Sequence, residues 1–353
     1  MKTADHVYFV AECGQNHNGE LSLAKQLIDL VAQPVYFKGN QLPGVDAVKF
    51  QKRELSEELS TTENMRPYGG PNSYGATYGE HRRALELSYD DHAELYDYAK
   101  AKGLDFIDTV CSPGALAGIL ENFQPDALKV ASRDLRNEPL LLAIARAHLP
   151  VILSTGMGTW EDAQGAVDTI VEEQRKSGGP TTDVHVLHCV SAYPASYDDL
   201  NLSAIGQSPI VSGKVGFSDH TPGILSPSLA VMAGARIIEK HVTLDRSMVG
   251  SDHAGSLGPE GVMRCLRDVR NAERAVGNGT KKVPATVAPF MAKLERSVAA
   301  RRDIAAEEII GDGDIHLVSP GTGLRWDQRG AIVGKRAVRH IATNELVVAT
   351  DVG

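Results

Sequence analysis

Short apolar runs alternate with longer amphipathic segments along most of this chain, and that alternation restricts the fold more than any other feature of it. The runs fall at residues 7–11, 47–51, 106–110, 127–131, 151–154, 184–189, 215–217 and 236–240. Between them lie helical patterns at 22–31, 91–102, 138–147, 159–176, 226–233 and 260–276. In the last of these, Val262, Cys265, Leu266 and Val269 recur at helical spacing. Eight strands alternating with helices predict an α/β fold, a parallel (β/α)8 barrel of the TIM type, which takes about 250 residues. An open doubly wound sheet has the same periodicity and is the alternative.

The chain is 353 residues long, so more than a barrel is present. The segment KKVPATVAP at 281–289 breaks the rhythm with two prolines and no helical stripe, and reads as a linker. The predicted division is a barrel over 1–280, a linker over 281–293 and a small β-rich module over 294–353. The module's β-like runs are at 297–300, 331–333 and 346–349. Residues 54–81, rich in Gly, Tyr, Asn and Pro, form a long connection after the second run, and long connections in compact domains are often functional.

Composition narrows the function classes. A net charge of −9 argues against a general nucleic-acid binder, though it allows a locally basic pocket for a small anion. The longest apolar stretches fall short of a membrane span, and the start of the chain has no basic region followed by a long apolar core. The four cysteines, Cys13, Cys111, Cys189 and Cys265, form no CxxC pair, which fits reduced thiols in a cytoplasmic protein.

Every candidate strand is followed at once by polar residues, and in a parallel barrel those ends build the active site. Lys49 and Lys129 sit inside apolar strand patterns, where lysine is rare unless paired. If either strand were slipped by one residue, its lysine would face solvent. If not, the two form a cationic mouth for phosphate and carboxylate, or one of them a Schiff base. Ser112, Ser132 and Ser154-Thr155-Gly156 offer donors to the same anion, or cap the helices that follow. His220 and His241 end consecutive strands and can share one divalent ion. Glu12 and Asp134 are then candidates for moving protons. Asp252 reads either as a contact to a polyol or as a turn aspartate. No base stands beside Cys13, Cys111 or Cys189 in sequence, so they read as packing residues.

Taken together, these motifs resemble the sialic acid synthases, the bacterial enzymes for N-acetylneuraminate, legionaminate and pseudaminate. The matching pieces are AECGQNHNG (11–19), GVDAVKFQK (44–52), Cys111-Ser112-Pro113, KVAS (129–132), LSTG (153–156), LHCVSAYP (187–194), GFSDH (216–220), IEKHVT (238–243) and Ser251-Asp252-His253. The tail, 296–351, looks like the antifreeze-like SAF module that closes chains of this family. The resemblance implies a metal-dependent condensation of phosphoenolpyruvate with an open-chain N-acetylated amino sugar, releasing phosphate. It implies that Lys49, Ser112, Lys129, Ser132, Ser154 and Ser218 hold phosphoenolpyruvate, with Ser191 at a position where the family often has Asn. It implies that His220 and His241 hold Mn2+, or Mg2+ or Co2+, that Gln51, Tyr193 and Asp252 touch the sugar, and that Glu12 lies near the metal. It also implies a homodimer whose tails cover each other's barrel mouths.

Two departures lie on the sugar side. Asp134 stands where the family usually has Glu, and Ser319-Pro320-Gly321 where it often reads Arg-Pro-Gly, with Arg325 nearby as a substitute. The expectation is an acceptor other than plain N-acetylmannosamine, such as a 2,4-diacetamido sugar. The competing readings are a Schiff-base pyruvate aldolase and a non-catalytic saccharide-binding protein.

Overall fold

The computed structural model describes residues 6–210 and 213–353, so the first five residues of the chain's start, read above as lacking a leader pattern, lie outside the described residues. The chain divides into two compact units, Met1–Gly277 and Asn278–Gly353. The first is a closed, all-parallel barrel whose strands neighbour one another in chain order. They are β1 (Tyr8–Gly14), β2 (Ala47–Lys52), β3 (Asp105–Val110), β4 (Ala127–Val130), β5 (Val151–Ser154), β6 (Val184–Cys189), β7 (Val215–Asp219) and β8 (Ile237–His241). The helices after them are α1 (Leu21–Val31), α2 (Tyr89–Ala101), α3 (Pro113–Asn122), α4 (Glu138–Arg146), α5 (Trp160–Lys176), α6 (Ser203–Gly206), α7 (Leu225–Met232) and α8 (Pro259–Val276). Closure settles the choice against an open sheet.

Alternation along the strands sorts the side chains. Phe9, Ala11, Val48, Phe50 and Ile238 point outward and pack under the helices with Leu27, Ile28, Val262, Leu266 and Val269. Tyr8, Val10, Ala47, Ile107, Ala127, Ile152, Leu187 and Ile237 point inward and fill the barrel. One step of the pleat further on, the inward layer turns polar.

Two features of the first unit depart from the sequence reading. A hairpin of Val35–Phe37 and Asn40–Leu42 precedes β2, in a stretch with no strand predicted. The 54–81 connection carries three short helices, Leu55–Glu58, Thr61–Asn64 and Tyr78–Ala84. Thr77 and Ser60 cap two of them, so local side-chain bonds order a segment that has no hydrophobic period.

In the second unit, Ala288–Leu294 is helical, over the end of the stretch 281–293 read as a linker. Ser297–Ala300 is a strand as expected, and it pairs antiparallel with Ile315–Val318, which was not predicted. The expected strand at 331–333 is instead the end of a 3-10 turn, Trp326–Ala331, and that at 346–349 contributes only a bridge from Leu346 to Ala299. Val298, Ile304, Ile310, Ile315, Ile332, Ile341 and Val347 form this unit's own core, so apolar residues here mark burial more than strand.

Candidate active site

The polar layer opens into a cavity of about 350 Å³. Its floor residues each lie two positions beyond a residue of the inner apolar layer: Glu12 after Val10, Lys49 after Ala47, Thr109 after Ile107, Lys129 after Ala127, Ser154 after Ile152, Cys189 after Leu187 and Glu239 after Ile237. Register then sets neighbours, since Glu12 pairs with Lys49 on one side and with His241 on the other. Both lysines are therefore inside the barrel, each 3% exposed.

The buried charges interlock. Lys49 Nζ lies 2.5 Å from Glu12 Oε2 and donates to Thr109 Oγ1 at 3.0 Å. Gln51 Nε2 donates to the other Glu12 oxygen at 2.7 Å. Lys129 Nζ donates to Ser154 Oγ at 2.7 Å. Glu239 sits between the lysines, 3.8 Å from Lys49 and 4.0 Å from Lys129, and accepts from Ser218 Oγ at 2.8 Å. Burial pushes the Glu12 carboxyl up, against the pull of Lys49. Burial also pulls the Lys129 ammonium down, against Glu239. On Lys49 burial acts the same way, but Glu12 and Glu239 outweigh it and the ammonium is held firmly charged.

His220 and His241 come together on the far wall, with ring centroids 5.6 Å apart. His220 Nδ1 lies 2.7 Å from the Val190 carbonyl, so that nitrogen carries the proton and Nε2 accepts from the Tyr193 hydroxyl at 2.7 Å. His241 Nδ1 is buried without a hydrogen-bond partner, 3.8 Å from Asp252. Two imidazole nitrogens able to accept, one of them unpartnered, suit a borderline divalent ion. Among the described residues no group of three or more His, Cys, Asp or Glu side chains is arranged to hold one.

Of the residues singled out in the sequence, Glu12, Lys49, Gln51, Lys129, Ser132, Ser154, Ser191, Tyr193, Ser218, His220 and His241 line this one cavity. Ser112, Asp134 and Asp252 do not. Ser112 caps α3, accepting from Ala115 N. Asp134 is held by Arg133 and Asn137. Asp252 accepts from its neighbour Ser251. His17, in the turn after β1, is buried and does not line the cavity, and burial lowers its imidazole to about 3. In the second unit Arg325 pairs with Asp327.

Sequence reasoning gave no role to Arg53, Arg82, Arg133 or Glu239, all of which line the cavity. Glu239 was legible, since it lies one pleat from His241. Arg82 was not, because it arrives on the helix Tyr78–Ala84 of the long connection. Cys189, read as a packing residue, also has a histidine near it in space that is distant in sequence, with His220 Nδ1 3.7 Å from the sulfur. Burial raises that thiol, but His220 and Lys129 outweigh it and bring it down.

A barrel with this mouth has counterparts. The NeuB family model matches residues 40–281 and the SAF domain model residues 295–353. The chain belongs to the NeuB family, and it is an enzyme of the synthase kind. It is 37% identical over 332 residues to the N,N'-diacetyllegionaminic acid synthase of Legionella pneumophila, covering 93% of this chain and 90% of that one. It is 34% identical over 305 residues to the N-acetylneuraminate-9-phosphate synthase of Homo sapiens, covering 86% and 80%. The solved N-acetylneuraminic acid synthetase of Leptospira borgpetersenii, in complex with citrate, superposes with a TM-score of 0.65 at 29% identity, over 81% of this chain and 90% of that one.

Proposed function

We propose that this synthase condenses phosphoenolpyruvate with an N-acetylated amino sugar in open-chain form and releases inorganic phosphate. The observation that carries the reading is the pair of buried lysines, Lys49 and Lys129, in one cavity with His220 and His241. Two buried ammonium groups offset the charge of an enol phosphate that also bears a carboxylate, and they are in place before it arrives.

Carbon 3 of the enol attacks the aldehyde carbon, a C–C bond forms, and the aldehyde oxygen takes a proton. Carbon 2, left electron-poor, adds water. The C2–O bond to phosphorus then breaks as the ketone forms. Of the two protons that water brings, one ends on the new hydroxyl and one on the phosphate. Glu12, fixed by Lys49 and Gln51 and raised by burial, is the group to carry a proton between these atoms. Gln51 and Tyr193 face the sugar, and Ser132, Ser154, Ser191 and Ser218 donate to the anion. Asp134, Ser112 and Asp252 act by holding the walls from behind, on the placements above. Mn2+, or Mg2+ or Co2+ in its place, would be held by His220 and His241 and would supply a Lewis acid for the aldehyde oxygen.

The acceptor is a 2,4-diacetamido sugar in preference to N-acetylmannosamine, a reading supported by the 37% identity to an N,N'-diacetyllegionaminic acid synthase and by the departures from the family's pattern at Asp134 and Ser319. The enzyme works in the cytoplasm as a two-fold dimer, each SAF unit closing the partner's barrel. The test is phosphate release from phosphoenolpyruvate, Mn2+ and each acceptor. Release should need the sugar, stop with EDTA, and show the higher kcat/KM with the diacetamido sugar. Equal or better turnover of N-acetylmannosamine would refute the acceptor, and release untouched by EDTA would refute the metal.

A further inference from the structure

Five cationic side chains line the cavity, and the condensation above employs only the two lysines. Arg53 follows β2 directly, and Arg133 lies in the turn Ser132–Asp134 after β4. They converge on one atom. Arg53 Nη1 donates to Glu58 Oε1 at 2.5 Å, and Arg133 Nη1 lies 2.8 Å from the same oxygen. Glu58 is the last residue of Leu55–Glu58, a single helical turn in the long connection.

The fit is incomplete on both sides. Glu58 Oε2 and Arg53 Nε are buried and make no hydrogen bond. Arg53 Nε lies 3.7 Å from Glu86, and Arg133 Nε reaches Asp134 at 3.2 Å. A guanidinium is a planar fork suited to two parallel bonds with a carboxylate or phosphate. Here two forks share one carboxylate oxygen, and a buried donor is left over. A dianionic phosphoryl group, with three oxygens spread tetrahedrally, matches what the arginines offer better than Glu58 does. Arg53 would keep its direction on releasing Glu58, because Nη2 also donates to Gln51 Oε1 at 3.0 Å, and Gln51 is tied to Glu12.

We propose that Arg53 and Arg133 form a docking station for a phosphoryl group at the cavity wall, and that Glu58 is a place-holding carboxylate which that group displaces. The inference rests on the proposed condensation, in which phosphoenolpyruvate arrives bearing such a group and inorganic phosphate departs as one. Glu58 returning to the arginines then competes with product phosphate and speeds its exit.

The signs of three substitutions test this on the full-length chain. Isothermal titration with inorganic phosphate alone, and with phosphoenolpyruvate alone, reads the affinities. Glu58→Gln removes the competing charge and keeps the shape, so phosphate should bind about tenfold tighter, with product inhibition stronger by the same factor. Arg133→Gln should weaken phosphate about tenfold, and Arg53→Gln likewise. Arg53 is buried and its variant can fail to fold; Arg133, with a side chain 34% exposed, then carries the test. A shift in phosphoenolpyruvate affinity alongside phosphate assigns the station to entry and exit, and a shift in phosphate alone to exit; both support it. If Glu58→Gln weakens phosphate as the arginine variants do, Glu58 is only a prop for them and the proposal is overturned. It is equally overturned if Arg133→Gln leaves phosphate affinity unchanged. Absence of turnover with every amino sugar would refute the condensation alone, and the opposite signs of Glu58→Gln and Arg133→Gln would still decide the station.

Discussion

Lys129 and Lys240 are both almost fully buried, yet the barrel gives them opposite jobs. Lys129 points inward to Ser154 and the cavity. Lys240, one residue out of phase with Glu239 and His241, points outward and closes on Asp219 at 2.7 Å. Lys129→Met should cut kcat/KM for phosphoenolpyruvate by about 10²–10³ with little change in thermal midpoint, by the usual cost of losing one preorganised charge. Lys240→Met should instead destabilise the fold by about 3–5 kcal/mol, because it strands a buried Asp219. Calorimetry and steady-state kinetics on the two variants separate these outcomes. Lys129, like Lys49, was legible in sequence as a residue out of place in an apolar run, whereas Lys240 was not. Their phase was legible only where the strand boundaries were right. Arg53 and Arg133 were not legible, since arginine in a loop has no pattern to violate.

A second prediction at this scale concerns pH. Burial lowers His185, whose Nδ1 accepts from Lys214 N, to about 4. The folded state keeps it neutral while the unfolded chain protonates it near its ordinary value of about 6.5. Its contribution is fully present above pH 6.5 and is lost as pH falls from there toward 4, at up to ~1.4 kcal/mol per pH unit. Urea denaturation at pH 7 and pH 5 should show that loss, and His185→Gln should show less of it.

Among the elements, the loops after the strands decide what enters the cavity. Gly19, at φ +77°, lets the loop after β1 pass the helix that carries Arg82; a Cβ there would stand 2.1 Å from the Ala84 carbonyl oxygen. Gly19→Ala should cost about 2 kcal/mol or more, from the left-handed backbone together with the clash. A urea midpoint equal to wild type would contradict this. The barrel strands and long helices could be read because each shows one clear period against one core. The three short helices of the 54–81 connection could not, since each is too short to show a period and two of them are ordered by capping from Ser60 and Thr77. The second unit misled for the reverse reason, as Ile332 and Val347 are buried without being in strands.

For the whole molecule, a chain of net charge −9 holds a cavity lined by five cations and two carboxylates, so the average conceals the site. The proposed exchange of SAF units predicts complementation. Mixing a His220→Ala chain with one ending at Gly277 should restore part of the activity that each lacks, since one hybrid mouth then has an intact barrel and a partner's tail. No recovery in a mixture shown by sedimentation to contain hetero-dimers would count against exchange.

The most direct measurement of the central claim uses phosphoenolpyruvate labelled with 18O in the oxygen that bridges carbon and phosphorus, with Mn2+ and a 2,4-diacetamido sugar. The account predicts a condensed nine-carbon or longer keto acid by mass spectrometry and, by 31P NMR, inorganic phosphate that retains the label, because the C–O bond breaks. Unlabelled phosphate, or a borohydride-trapped pyruvate adduct on Lys129 or Lys49 in place of the condensation product, would contradict it.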